Sequence, residues 1–196
     1  MSSLVIRLGL AGGRVLRFDL PDDSPLPGIL AKVLPETLFL PQPWWFSHSL
    51  CFTSIRPEQT HFVHIVGAEP GWRYPLGTDL VEWVAEADFS NEAAVRRLQT
   101  KIRLVDEPPG TSVVQFLRLI MADGAAHHFR ISGPARPKEE RHAAAEKIAS
   151  LPAFAARHPD GGQMVINLHL AVAWQVMPGA VDAPPGAWTV ADSHLE

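Results

Sequence analysis

Gly77–Ile102, "GTDLVEWVAEADFSNEAAVRRLQTKI", is the stretch on which the fold class turns. Leu80, Trp83, Val84 and Ala87 recur at i, i+3, i+4 and i+7, the spacing that lines one face of a helix. Asp79, Glu82 and Glu86 form its acidic side. Ser90 stands where an N-cap would open a second helix, with Ala94, Val95, Leu98 and Ile102 turned inward. Arg96, Arg97 and Lys101, with Arg103 nearby, make that helix's outer face. The plain expectation for such a cationic face is solvation, and it would also suit an acidic partner.

Outward from this centre the chain alternates hairpins and helices. "SLVIRLGL–AGG–RVLRFDL" predicts a first β-hairpin, with Gly12 and Gly13 supplying the positive φ of a tight turn. Ile29, Leu30 and Val33 could line a short helix bracketed by prolines. "WWFSHSLCFTSIRPEQTHFVHIVG", Trp44–Gly67, predicts a second hairpin turning at "RPEQ". "TSVVQFLRLIMADGAAHHFRIS" predicts a third, turning at Asp123-Gly124. "PKEERHAAAEKIASL" has Pro137 at a first helical position and an apolar stripe of Ala144, Ile148, Leu151 and Ala155. "QMVINLHLAVAW" predicts one long buried central strand.

The expected fold is therefore α+β: three β-hairpins packed with three to four short helices and a long C-terminal strand. The segments 3–33 and 112–174 each run hairpin then helix, the order also found in β-grasp units. Residues 1–176 are expected to form a single domain, or two subdomains at 1–105 and 106–176. Residues 177–196, rich in Pro and Gly, are expected to form an extended tail.

Composition narrows the classes. The 196 residues carry a net charge of −4, which argues against a general nucleic-acid binder. The 18 prolines, close to twice the usual share of about 5%, cut the chain into short elements. One cysteine excludes an internal disulfide, and the N-terminal residues make a poor signal peptide, so the expected compartment is the cytoplasm. No apolar run reaches the roughly 18 residues of a membrane span.

The second hairpin holds that cysteine and three of the nine histidines. His48-x2-Cys51-x9-His61-x2-His64 has the ligand types and spacing of a zinc site. Strand geometry opposes it, because residues three apart point to opposite faces. No cofactor is expected, zinc being the one alternative. If the hairpin turned through Arg56–Gln59, Cys51 would face His64, with side chains about 5 Å apart. Leu50, Phe52, Val63 and Ile65 would then lie on the core side. A histidine beside a thiol can generate a thiolate nucleophile. The plain alternative is a small buried cysteine and a satisfied histidine.

Trp44 and Trp45 follow "PQP", and Trp72 lies in "EPGWRYP". Adjacent strand residues cannot share one core, so one of Trp44 and Trp45 should be exposed and available to a partner. His127-His128 are adjacent and should diverge likewise. His158 and Asp160 in "RHPDGG" form a candidate polar loop pair. The chain lacks G-x-S-x-G, H-E-x-x-H, P-loop and CxxC motifs. The expectation is a non-catalytic interaction or assembly protein with a protein partner or a second copy of itself. A cysteine-dependent acyl- or thioester-transfer enzyme using Cys51 and His64 is the alternative. A small-molecule or metal-binding module, with Trp72, Trp83 and the polar face of the second hairpin, is the third.

Overall fold

The computed structural model describes residues 4–20, 37–48, 51–67, 80–91, 111–135, 137, 140, 143 and 150–177, leaving aside the side chains of His48, Cys51, Phe52 and Met177. Eleven strands account for more than half of these residues. They are β1 (Val5–Gly9), β2 (Val15–Asp19), β3 (Trp44–His48), β4 (Cys51–Ile55), β5 (Phe62–Val66) and β6 (Leu80–Val84), followed by β7 (Ser112–Met121), β8 (Ala126–Pro134), β9 (Ala153–Arg157), β10 (Gln163–Asn167) and β11 (Ala171–Met177). Nine form one mixed sheet in the order β11-β7-β8-β6-β9-β10-β5-β1-β2, and β3 pairs with β4 alone.

The α+β expectation is thus overturned: among the described residues the fold is mainly β, built on one nine-stranded sheet with a single short helix, and not three to four packed helices. Among the described residues one continuous helix occurs, at 86–91, where Phe89 N–H donates to the Ala85 carbonyl at 2.9 Å. Leu80–Val84 precedes it as a strand between β8 and β9. Five residues, one of them Glu82, are too few to fix a period, and tertiary pairing chose the strand. Ser90 lies inside the helix and not at a cap. Residues 92–103, 21–36 and the tail from 178 lie outside the described residues. Of "PKEERHAAAEKIASL", Glu140, Ala143 and Ser150 are described, and all three are helical. Ala155, expected on a helical stripe, is in β9.

The first and third hairpins form as expected. Gly12 and Gly13 take positive φ between β1 and β2, and Gly124 does so between β7 and β8. The second does not: β4 leaves through Pro57–Gln59 without pairing with β5, which lies instead between β1 and β10. The long C-terminal strand divides. Asn167 accepts the His169 N–H at 3.1 Å, a 3-10 turn spans Leu168–Leu170, and β11 departs to the sheet edge.

That division sets the overall shape. β10 and β11 stand five places apart in the sheet, about 24 Å if it were flat. The link from Asn167 to Ala171 reaches at most about 14 Å. The sheet must therefore roll. The inner face is identified by Phe62 on β5 and His127 on β8, four places apart, whose rings meet edge-to-face at 5.7 Å. This face carries Val81, Leu117, Leu119, Phe129, Phe154, Met164 and Ile166, a closed apolar core. The outer face of β1, β5 and β10 carries Ile6, Leu8, Val63, Ile65 and Val165, covered by Trp44 and Ile55 from the β3–β4 pair. The central strands are buried on both faces. No helix among the described residues is long and apolar enough to cross a membrane.

Candidate functional site: three histidine contacts and a bare edge

His64 projects from β5 onto the inner face and is 1% exposed. Its Nε2–H donates to the Gly161 carbonyl at 2.9 Å, which fixes the tautomer because a carbonyl only accepts. Gly161 belongs to the β9–β10 turn, which folds back over the sheet. The turn is pressed so close that a Cβ at Gly162 would collide with the Ile65 carbonyl oxygen. From the same turn His158 packs its ring between His64, at 4.1 Å, and Trp83 of β6, at 5.0 Å. Its Nδ1 accepts the Asp160 N–H at 3.2 Å, so the ring is neutral. The expected His158–Asp160 loop pair exists and ends a strand. Asp160 also receives Arg7 of β1 at 2.9 Å.

Burial, reinforced by the charge of His64, pushes His158 down to about 4; burial also lowers His64, with Arg7 adding to it. The Arg7 hydrogen bond holds the Asp160 carboxyl below its usual range. The turn thus clamps β1, β5 and β6 together. The arrangement suits mechanical anchoring, with His64 as a positioned donor.

The cross-strand pair on which a Cys51–His64 nucleophile would depend is not formed. His64 has Arg7 and Met164 as ladder neighbours, and Cys51 has His48. The four expected zinc ligands are divided in the same way. His48 and Cys51 oppose each other on β3 and β4, while His61 and His64 serve different contacts on the main sheet. Among the described residues no group of three or more His, Cys, Asp or Glu is placed to hold a metal ion. Trp44 is buried at 4% and Trp45 is 64% exposed, dividing as strand alternation requires. Trp72, Arg96, Arg97 and Lys101 lie outside the described residues.

A second contact joins the two ends of the roll. Asp123, at the β7–β8 tip, accepts the Gly12 N–H at 2.6 Å and the Ala125 N–H at 3.0 Å. His61 Nε2 lies 3.7 Å from the same carboxylate. The His127 ring approaches His61 edge-on at 6.2 Å, and its buried Nε2 has no hydrogen-bond partner among the described residues. Burial, then the charge of His61, lowers His127 to about 4. In a third contact, on the opposite face of β8, His128 Nε2 accepts from Arg118, whose guanidinium stands 5.2 Å from the Phe89 ring centre. Both adjacent histidines are thereby engaged, because β8 is covered on each side.

The sheet's two edges differ chemically. β2 carries Arg17 and Asp19 in an exposed ion pair at 2.6 Å. β11, "AVAWQVM", has no charge, and Val172 and Trp174 are 67% and 39% exposed. Among the described strands β7 is its only neighbour, with a register shift confined to Ala171/Ala173. Edge asymmetry escaped the sequence because "AVAW" reads as the end of a central strand. Comparison of the chain with protein-family models, with curated proteins and with solved structures gives no match.

Proposed function

We propose that this is a non-catalytic assembly protein that works by strand addition at β11, with a second copy of the chain as the partner. The single observation behind this reading is the uncharged edge, which among the described strands pairs only with β7 and leaves Val172 and Trp174 exposed. Natural sheets blunt free edges with charges, proline or bulges, because unpaired N–H and C=O groups recruit other strands. β11 has only its bulge, at the first turn of the strand, and Ala173–Met177 is regular.

Self-pairing is favoured by charge. A two-fold axis through Trp174 would set Ala173 against Gln175 and Val172 against Val176, with no like charges opposed. The same operation at β2 would set Arg17 against Arg17, which repels. Strand addition supplies main-chain hydrogen bonds, and the flanking side chains give it selectivity.

Sedimentation across a concentration series, up to the order of 100 μM, tests the reading. The expected species has twice the 21.5 kDa chain mass and reverts to one chain in Trp174→Lys, with unchanged circular dichroism. A wild-type protein that stays at one chain mass throughout, or a dimer untouched by both Trp174→Lys and Val172→Lys, overturns it.

A further inference from the structure

We propose that His127, packed at the seam beside His61 and Asp123, is an acid-sensitive latch that holds the rolled sheet closed at the β7–β8 tip and releases it when the His127 imidazole becomes charged. The latch is independent of any self-association at β11.

Its geometry is a seam between distant parts of the sheet. The β7–β8 tip meets the β1–β2 turn through Asp123 and Gly12, 111 residues apart in sequence. The described groups around His127 are few. His61 and Phe62 face it from the β5 side, Asp123 from the tip, and His128 stands next to it on β8. Beyond His128 lie Arg118 and Glu86.

At neutral pH Asp123 is ionised and its oxygens take the Gly12 and Ala125 N–H groups. The Gly12 bond holds its carboxyl below the usual range. The same carboxylate faces His61 Nε2 at 3.7 Å. A proton on His127 has no such match among the described residues. Its Nε2 is buried without an acceptor, and the ring already stands beside His61. A buried imidazolium without an acceptor is costly, and the cheapest relief is to separate the tip from β5 and expose His127 to water. The sign follows from His127's low folded value. Its contribution to closure is complete above its ordinary pKa near 6.5 and is lost as pH falls toward about 4. Acid-driven separation of histidine-lined interfaces is a general use of this side chain.

Hydrogen–deuterium exchange of the 196-residue chain, corrected for intrinsic rates, tests the latch between pH 7 and about 4. The peptides around Gly12 and Ala125 should lose roughly tenfold in protection as pH falls, while the β10 peptide stays protected and circular dichroism is unchanged. His127→Phe, which keeps the ring and cannot be charged, should hold those peptides protected over the same range. If Phe does not fold, His127→Asn serves, being uncharged throughout. Protection at Gly12 that persists until the whole sheet unfolds overturns the proposal. So does a loss that is identical in wild type and in the folded variant.

Discussion

A histidine that is 1% exposed would ordinarily signal chemistry, and at His64 it signals anchoring. Its Nε2–H is the donor for a carbonyl in a turn that must lie flat against the sheet. Substituting His64 by Ala leaves that carbonyl without its donor and opens a gap beneath His158. The expected loss is about 1–3 kcal/mol in urea unfolding. A loss near zero would mean that the turn is held by Asp160–Arg7 alone. The core side of β5 was legible at this scale, since Val63 and Ile65 are both fully buried. The opposite face was not, because local sequence carries no sign that a turn 97 residues away will cover it.

At the scale of elements, the β9–β10 turn ties β6 to the rest of the sheet where the ladder is thinnest. β6 meets β9 through the single parallel pair Glu82↔Arg157. The stack of Trp83 on His158 adds a second tie at the same junction. This makes the junction pH-dependent. His158 is held to about 4 in the folded chain, against about 6.5 unfolded, so the unfolded state binds the extra proton. Stability is full above about pH 6.5 and falls as pH drops toward 4. The midpoint in urea should therefore fall between pH 7 and about 4.5. In His158→Phe, which keeps the stack and cannot be charged, the slope should be shallower. An unchanged slope would assign the pH dependence elsewhere. The first and third hairpins were legible because Gly-Gly and Asp-Gly specify their own turns. The second was misread because "RPEQ" makes a 3-10 turn that redirects the chain, and no local signal says which strand it will meet.

For the whole molecule, Asn167 decides the roll. It is fully buried; its Nδ2 donates to the Thr60 carbonyl at 3.0 Å and the Glu58 carbonyl at 3.3 Å, and its Oδ1 accepts the His169 N–H. It thus binds the start of β5 to the point where the chain leaves β10 for β11. Asn167→Ala should cost about 2–4 kcal/mol, since it orphans several buried backbone groups at once. It should also raise exchange in the β11 peptide before the β5 peptide. A cost below about 1 kcal/mol would show that the link closes the roll without its cap.

The sequence by itself determined the two tight hairpins, the core side of β5, and the division of Trp44 from Trp45. Each follows from turn chemistry or period-two alternation acting over a few residues. Tertiary structure alone decided that Leu80–Val84 and Ala153–Arg157 are strands, that β5 lies beside β10, and that β11 ends the sheet. β5 and β9 lie where both faces of the sheet are covered, so their side chains show no alternation to read. Their partners are far away along the chain, and only the rolled sheet brings His64 to Gly161 and Asp123 to Gly12.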